Sequence, residues 1–340
     1  MLADLLKRAL YGSGALGAYH RLRNRDVLTV VMYHRVLSTA DPRWSSCDPD
    51  YTVSDELFSQ TVRFLKRHYA IVGVDQVIAA RRGDANLPPR ALLITFDDGW
   101  SDNADYALPI LRRENVPALL FVVADAVGRH RPFFQEEMVA AWRAARLSPA
   151  DVQAIARAAG STRQDAEAAG LKGLRSVIAA LEALPAADRS RILEPYADRL
   201  DDGLRHMVSV QDLARLGEGG VAIGLHGKSH TPMTRAGDLD AELAGAREAL
   251  ARLMGVGRER LCTMSFPHGR WTPEIVQRAR DVGYALIFTS VPSVNALASG
   301  CPDVLGRLGI ETEAAQDAKG RFRPDRLALR LFRRPAARLG

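Results

Sequence analysis

The chain has 340 residues, of which 47% are hydrophobic, 25% charged and 6% aromatic. Such a composition excludes long disorder, collagen-like repeats and a disulfide-stapled miniprotein, and the length suits one large α/β barrel or two medium domains. The net charge of +6 is unevenly placed, with +3 on residues 1–26, +7 on residues 319–340 and −4 between them, so no basic face of the kind nucleic-acid-binding domains carry within their fold is expected.

In chain order, residues 1–26 read as a basic N-terminal helix and linker. The uncharged stretch 9–19 is preceded by Asp4 and followed by Arg21, Arg23 and Arg25, which is not the basic-then-apolar order of a signal peptide. No stretch approaches the ~20 apolar residues of a membrane-spanning helix. Short apolar runs with strand character follow at Val27–Tyr33, Ala91–Phe96, Ala118–Ala124, Val221–Leu225, Leu261–Phe266, Tyr284–Thr289 and Val304–Ile310. Between them lie predicted helices near 54–68, 102–114, 238–254 and 273–282, with cap signals at Ser54 and at Thr272-Pro273-Glu274. Strand alternating with helix predicts a parallel sheet covered on both faces, open or closed into a barrel.

The alternation breaks over 129–208, a stretch rich in Ala, Arg and Leu that predicts helices at 135–145, 149–159, 172–183 and 187–199 and no strand. It reads as a helical insertion into one domain spanning 27–318. Such insertions often lie over an active site, and a purely structural role is the equal alternative. Residues 319–340 form a basic C-terminal tail, in which Arg326-Leu-Ala-Leu-Arg-Leu-Phe-Arg-Arg334 mixes apolar and cationic residues as interfacial helices do. A solvated arginine-rich tail is the competing reading. Cys47, Cys262 and Cys301 show no Cys-x-x-Cys spacing and read as reduced thiols of a cytosolic protein.

Chemistry concentrates at strand ends, where parallel sheets bind ligands. The run Leu92-Leu-Ile-Thr-Phe-Asp-Asp-Gly-Trp100 ends a strand in two adjacent carboxylates. Such a pair repels itself unless a cation or a proton sits between its members; an Asx-turn starting the next helix is the bland alternative. Gly224-Leu-His226-Gly-Lys-Ser-His230 places two imidazoles four residues apart after another strand, and with a carboxylate these make a two-His, one-carboxylate metal site with open positions. Ser265-Phe-Pro-His-Gly269 ends the next strand in a tight turn able to aim a backbone N–H at a substrate oxygen. No Gly-x-Ser-x-Gly elbow supports a Ser-His-Asp hydrolase.

On Thr95-Phe-Asp-Asp-Gly99, His226-x3-His230, the Pro-x-Gly turn at 267–269 and the opening strand Val30-Val-Met-Tyr-His-Arg-Val36, the chain resembles the NodB-type polysaccharide deacetylases, carbohydrate esterase family four. The resemblance runs over about residues 27–310 and implies a deformed (β/α) barrel of about seven parallel strands. It implies one divalent metal held by Asp98, His226 and His230, with zinc the default and Co, Ni, Fe or Mn compatible. It implies Asp97 as general base and the His268 backbone N–H as a partner of the oxyanion, for removal of acetyl groups from an N-acetylated saccharide in surface-polysaccharide or glycolipid assembly. Two departures stand out. Many family members carry an Arg two residues before the turn's Pro, where this chain has Ser265, so Arg307 is the candidate to replace it in space. Many also carry a late histidine as general acid; no His follows His268 here, which leaves His34 and His268 as candidates.

The other histidines, His20, His68, His130 and His206, read as surface or structural, and Trp100 and Trp271 as either sugar-stacking or core residues. The expected setting is cytoplasmic, peripheral on the inner face of the membrane through the basic ends. An amidase acting on another C–N bond, a non-catalytic carbohydrate-binding member and a metal-dependent glycosyltransferase are the alternatives; the histidine pair disfavours the last, whose metals prefer oxygen ligands.

Overall fold

The computed structural model describes residues 2–161, 170–298 and 300–333. The chain divides into two compact units, one of Met1–Ser38, Asp50–Gly128 and Met207–Gly340, the other of Thr39–Pro49 and Arg129–His206.

Among the described residues the larger unit has twelve strands: β1 (Val27–Tyr33), β2 (Arg35–Leu37), β3 (Thr52–Ser54), β4 (Ala70–Ile71), β5 (Ala91–Phe96), β6 (Ala118–Val122), β7 (Val221–Leu225), β8 (Thr263–Ser265), β9 (Leu286–Phe288), β10 (Asn295–Ala296), β11 (Val304–Leu305) and β12 (Leu308–Gly309). The main sheet runs β10-β1-β5-β6-β7-β8-β9-β11, with β12 also on β1 and β4 on β5. Every pairing in it is parallel except β1 with β10. Because β11 lies on β9 while β12, three residues later, lies on β1, the sheet curls into a nearly closed barrel. The expected single strand Val304–Ile310 is therefore two. Gly306 N–H donates to Asn295 Oδ1 and Arg307 N–H to Val291 O, so these two residues leave the ladder at the seam.

Strand residues alternate between two cores. Val31, Leu92, Ile94, Phe96, Leu120, Val122 and Leu225 pack outward against helical residues such as Leu57, Phe58, Leu65 and Leu108. Leu28, Val30, Leu93, Leu119, Phe121, Leu286, Phe288 and Leu305 belong to the second core. Its Phe121 and Phe288 rings, on strands that are not neighbours, lie 4.9 Å apart, so this core fills the barrel interior. Burial on both faces explains why β5 and β6 read as unbroken apolar runs.

The helices Asp55–His68 and Pro273–Val282 start where their caps predict, with Ser54 Oγ accepting from Leu57 N–H and Thr272 Oγ1 from Ile275 N–H. The predicted helices 102–114 and 238–254 each open with a wider π turn, at Asn103–Ala107 and Ala241–Gly245. The helices Val74–Arg82 and Val210–Glu218 were not expected.

The smaller unit contains the helices Phe134–Arg143, Pro149–Ala158, Leu171–Ala183, Ala186–Leu193 and Ala197–Leu200, with no strand among the described residues. Its core includes Met138, Val139, Ile155, Leu174, Val177 and Leu181. Residues 39–49, which sequence patterning did not assign to it, join through Asp48, whose carboxylate accepts a 2.7 Å hydrogen bond from Arg175. Residues 162–169 of the predicted insertion lie outside the described residues.

The basic stretch 319–340 differs from expectation. Pro324–Phe332 is a helix whose Leu327, Ala328, Leu331 and Phe332 are buried, so these four residues pack into the protein's own core; residues 334–340 lie outside the described residues. No helix among the described residues is long and apolar enough to cross a membrane.

Candidate active site

The barrel's alternation also builds the site. Leu28 and Val30 point inward on β1, so His34 continues that phase just beyond the strand. Leu93 points inward on β5, which puts Asp97 on the inward side one residue past its end. Leu225 and Met264 point outward, so His226 and Ser265 point inward, while Arg307, off the ladder at the seam, is directed by its bonds to Thr289 O and Asp97. Residues far apart in sequence thereby converge at the carboxyl ends of parallel strands.

At Asp98 and Gly99 the backbone turns through two consecutive left-handed conformations, φ 78° and 86°, which separate the two carboxylates. A Cβ on Gly99 would come within 3.2 Å of Val122 Cγ1, so glycine suits both the conformation and the space. Asp98, His230 and His268 account for three of the six positive-φ non-glycine residues among the described residues. Strain concentrated in this way is characteristic of functional sites.

Asp97 and Asp98 are both buried, at 2% and 7% exposure, and have different partners. Arg307, itself 1% exposed, donates from Nη1 to Asp97 Oδ1 at 2.7 Å and from Nη2 to Asp97 Oδ2 at 2.8 Å, a bidentate pair. Arg307 is held in turn by donating from Nε to Thr289 O and from Nη2 to Ser265 Oγ. Ser265 thus touches Arg307, which reaches Asp97 from the seam of the barrel. Burial pushes the Asp97 carboxyl up, but the Arg307 charge and hydrogen bonds, together with His226, outweigh it and hold the group below the usual carboxylate range.

Asp98 faces the imidazoles. Its Oδ1 lies 3.3 Å from His226 Nε2 and 3.3 Å from His230 Nε2, and its Oδ2 accepts a 2.9 Å hydrogen bond from the Trp100 indole N–H. His226 Nδ1–H donates to Ser265 O at 2.9 Å, which turns Nε2 toward Asp98, as a backbone carbonyl does when it orients a metal-binding imidazole. The three ligand atoms lie within 4.8 Å of one another. In a tetrahedral zinc site with bonds near 2.1 Å, neighbouring ligand atoms lie ~3.4 Å apart, so the donor set and its spacing fit a divalent metal. Burial works to raise the Asp98 pKa, and the two histidines overcome it and hold the group well below the usual range.

The loop carrying His230 is pinned by Glu242, which accepts from the N–H groups of Lys228 and Ser229 and from the Ser229 hydroxyl. No sequence signal pointed to Glu242, which lies twelve residues beyond His230. Nor was Trp100 foreseen as a partner of Asp98: at 4% exposure, with the Arg35 guanidinium 4.4 Å above its ring, it is too enclosed to stack on a sugar.

The two remaining candidates differ in setting. His268, at φ 56° in the turn Pro267–Gly269, places its ring 4.6 Å from that of His230 and its Nε2 3.2 Å from His230 O. Desolvation and repulsion from His230 and His226 pull its pKa down to about 3, so the ring is neutral at neutral pH. His34 is half-buried and lines a cleft with Asp50, Tyr51, Ile310 and Glu311, its ring 4.9 Å from that of Tyr51. Burial lowers its pKa, with Asp98 and Asp97 opposing that effect. His34 therefore lies within the field of both carboxylates.

A family model described as polysaccharide deacetylase matches residues 84–162 and 192–287, just over half of the chain. A curated relative, the poly-beta-1,6-N-acetyl-D-glucosamine N-deacetylase of Staphylococcus epidermidis, is 28% identical over 110 residues, covering 32% of this chain and 36% of its own length. The match thus spans about a third of that relative. Among solved structures, the Streptococcus pyogenes deacetylase PplD in complex with acetate aligns with a TM-score of 0.57 at 14% identity, over 90% of this chain and 99% of its own. IcaB from Ammonifex degensii aligns with a TM-score of 0.57 at 18% identity, over 91% and 98%. At these identities the structural likeness establishes the fold.

Proposed function

The chain belongs to the polysaccharide deacetylase family, and from that premise we propose that it is a metal-dependent hydrolase removing N-acetyl groups from an N-acetylglucosamine-containing saccharide during surface-polysaccharide assembly. The observation that carries this reading is the division of labour between adjacent buried carboxylates: Asp97 is clamped by Arg307 while Asp98 faces two imidazoles. The substrate class follows the activity of the staphylococcal relative, a poly-beta-1,6-N-acetyl-D-glucosamine N-deacetylase.

Asp98, His226 and His230 would hold the metal, and zinc suits two imidazoles and a carboxylate at this spacing. When bound there, a divalent metal supplies Lewis acidity that activates water and polarises the acetamide carbonyl. Asp97, kept ionised by Arg307, accepts the proton of the attacking water. The N–H of His268, in the turn beside His230, donates to the developing oxyanion. His34 delivers a proton to the departing nitrogen as the C–N bond breaks, leaving acetate and a free amine. Burial lowers the pKa of both rings, but at His34 Asp98 and Asp97 oppose that lowering, whereas at His268 the neighbouring His230 and His226 add to it and take it to about 3, so His34 suits this role better.

Incubation with N-acetylglucosamine oligosaccharides tests the reading. Acetate and free amine should appear in equal amounts and stop on chelation; a metal-loaded protein that releases neither contradicts it. Within that assay, His34→Gln should lower kcat by on the order of 10²–10⁴-fold, with metal content unchanged. A His34→Gln protein within a few-fold of wild type would remove this histidine from the proton transfer.

A further inference from the structure

Two helices precede the barrel, α1 (Leu2–Gly12) and α2 (Ala15–Arg23). Both are docked on the larger unit. Asp4 accepts from Arg323 and Arg326 at 3.3 and 3.4 Å, and the Tyr11 ring stacks 6.2 Å from that of Phe64. The His20 ring lies flat on Phe332, centroids 4.1 Å apart, between Asn24, which donates to its Nδ1, and the carbonyl of His68, 3.2 Å from its Nε2. Desolvation pulls the His20 pKa down to about 4, so this packing is that of a neutral ring.

Tyr11, Leu16 and His20 of this pair pack inward, while its other large apolar side chains point the other way. Leu5, Leu6, Leu10, Tyr19 and Leu22 are exposed at 61%, 59%, 37%, 44% and 84%. A surface helix normally turns its leucines to the core; here Leu5, Leu6, Leu10 and Leu22 face out. Only Tyr51, Val210 and Leu253 are comparably exposed among the other described large apolar residues, and these are scattered along the chain. Lys7, Arg8, Arg21 and Arg23 lie among the exposed leucines, with Arg25 just beyond, while Asp4 is already engaged by two arginines.

We propose that α1 and α2 form an interfacial anchor that lays Leu5, Leu6, Leu10, Tyr19 and Leu22 into the headgroup boundary of an anionic lipid bilayer. Leucine and tyrosine interleaved with lysine and arginine match both components of such a surface, its apolar boundary and its negative headgroups. A second copy of the chain fits poorly, because the same face would bring Lys7, Arg8, Arg21 and Arg23 against like charges. Of the two basic ends, the N-terminal one carries the exposed leucines, whereas Leu327 and Leu331 of Pro324–Phe332 are taken up by internal packing.

Flotation of the 340-residue protein with phosphatidylcholine vesicles, with and without phosphatidylglycerol, tests the assignment, beside the triple variant Leu5→Ser, Leu6→Ser, Leu22→Ser. These positions are exposed, and an unchanged metal content verifies the variant's fold. Wild type should float with the anionic vesicles and lose that binding as salt rises. The variant should bind at least about tenfold more weakly, since membrane affinity scales with buried apolar area. Absence of binding to anionic vesicles, or equal binding by the variant, overturns the proposal. So does a wild-type dimer in light scattering that the same substitutions convert to monomer, because the occupant of the face would then be a second copy.

Discussion

Asp97→Asn is expected to lower acetate release by on the order of 10²–10⁴-fold, the span that a positioned general base contributes, without lowering metal content. Both halves follow from the geometry. The Asp97 oxygens face Arg307 and Ser265, whereas the ligand atoms of the metal cluster belong to Asp98, His226 and His230. An amide keeps the size of the carboxylate and its Oδ1 can still accept from one Arg307 N–H, but the guanidinium loses its counter-charge, so the variant should lose about 3–5 kcal/mol of stability along with the proton acceptor and is assayed where it is still folded. Initial rates on an N-acetylated oligosaccharide, read beside metal analysis of the same preparation, check the expectation. Loss of metal together with activity would make Asp97 a ligand, and activity within tenfold of wild type would remove it as the base.

Arg307→Met should destabilise the protein by about 3–5 kcal/mol, the usual consequence of removing one partner from a buried ion pair. At 1% exposure the guanidinium has its charge matched by a carboxylate at 2%, and methionine would leave that carboxylate buried without its cation. The pH dependence has a definite sign. Burial raises the Asp97 pKa and Arg307 more than reverses it, leaving the folded-state value below the ordinary 3.8. In the wild type this group therefore adds stability above pH 3.8 that is lost as pH falls through the depressed folded value. Without Arg307 the burial effect dominates and the folded pKa moves up. The acid arm of the kcat/KM profile should then shift to higher pH, with a lower denaturant midpoint at neutral pH. A variant with unchanged midpoint and profile would show that Arg307 does not set the charge state of Asp97.

Much of the site was legible because its markers are local. Asp97, Asp98, His226 and His230 sit in two short motifs at the ends of apolar runs, and period-two alternation is enough to aim Asp97 and His226 inward. Arg307 is different. Its approach to Asp97 spans 210 residues and depends on the break between β11 and β12 at the barrel's seam. Sequence offered it as a spatial substitute for the arginine that Ser265 replaces, and only closure of the sheet brings the three side chains together. Trp100 and Glu242 escaped because hydrogen bonds from an indole N–H or to a helix-borne carboxylate leave no periodic trace. The basic tail misled because the alternation of Leu and Arg in 326–332 suits a bilayer surface and a docked helix equally well; burial decides for docking. The exposed leucines of the N-terminal helices carry the complementary lesson, since helical periodicity locates an apolar face without saying what covers it.

The central claim is that Asp98, His226 and His230 hold a divalent metal beside an independently clamped base, and metal content of the purified protein tests it without any assumption about the sugar. Wild type should carry about one divalent ion per chain, and Asp98→Ala and His230→Ala should each carry far less while remaining folded. A wild-type protein that stays metal-free after reconstitution with zinc, cobalt and manganese, or variants that retain a full complement, would contradict the account.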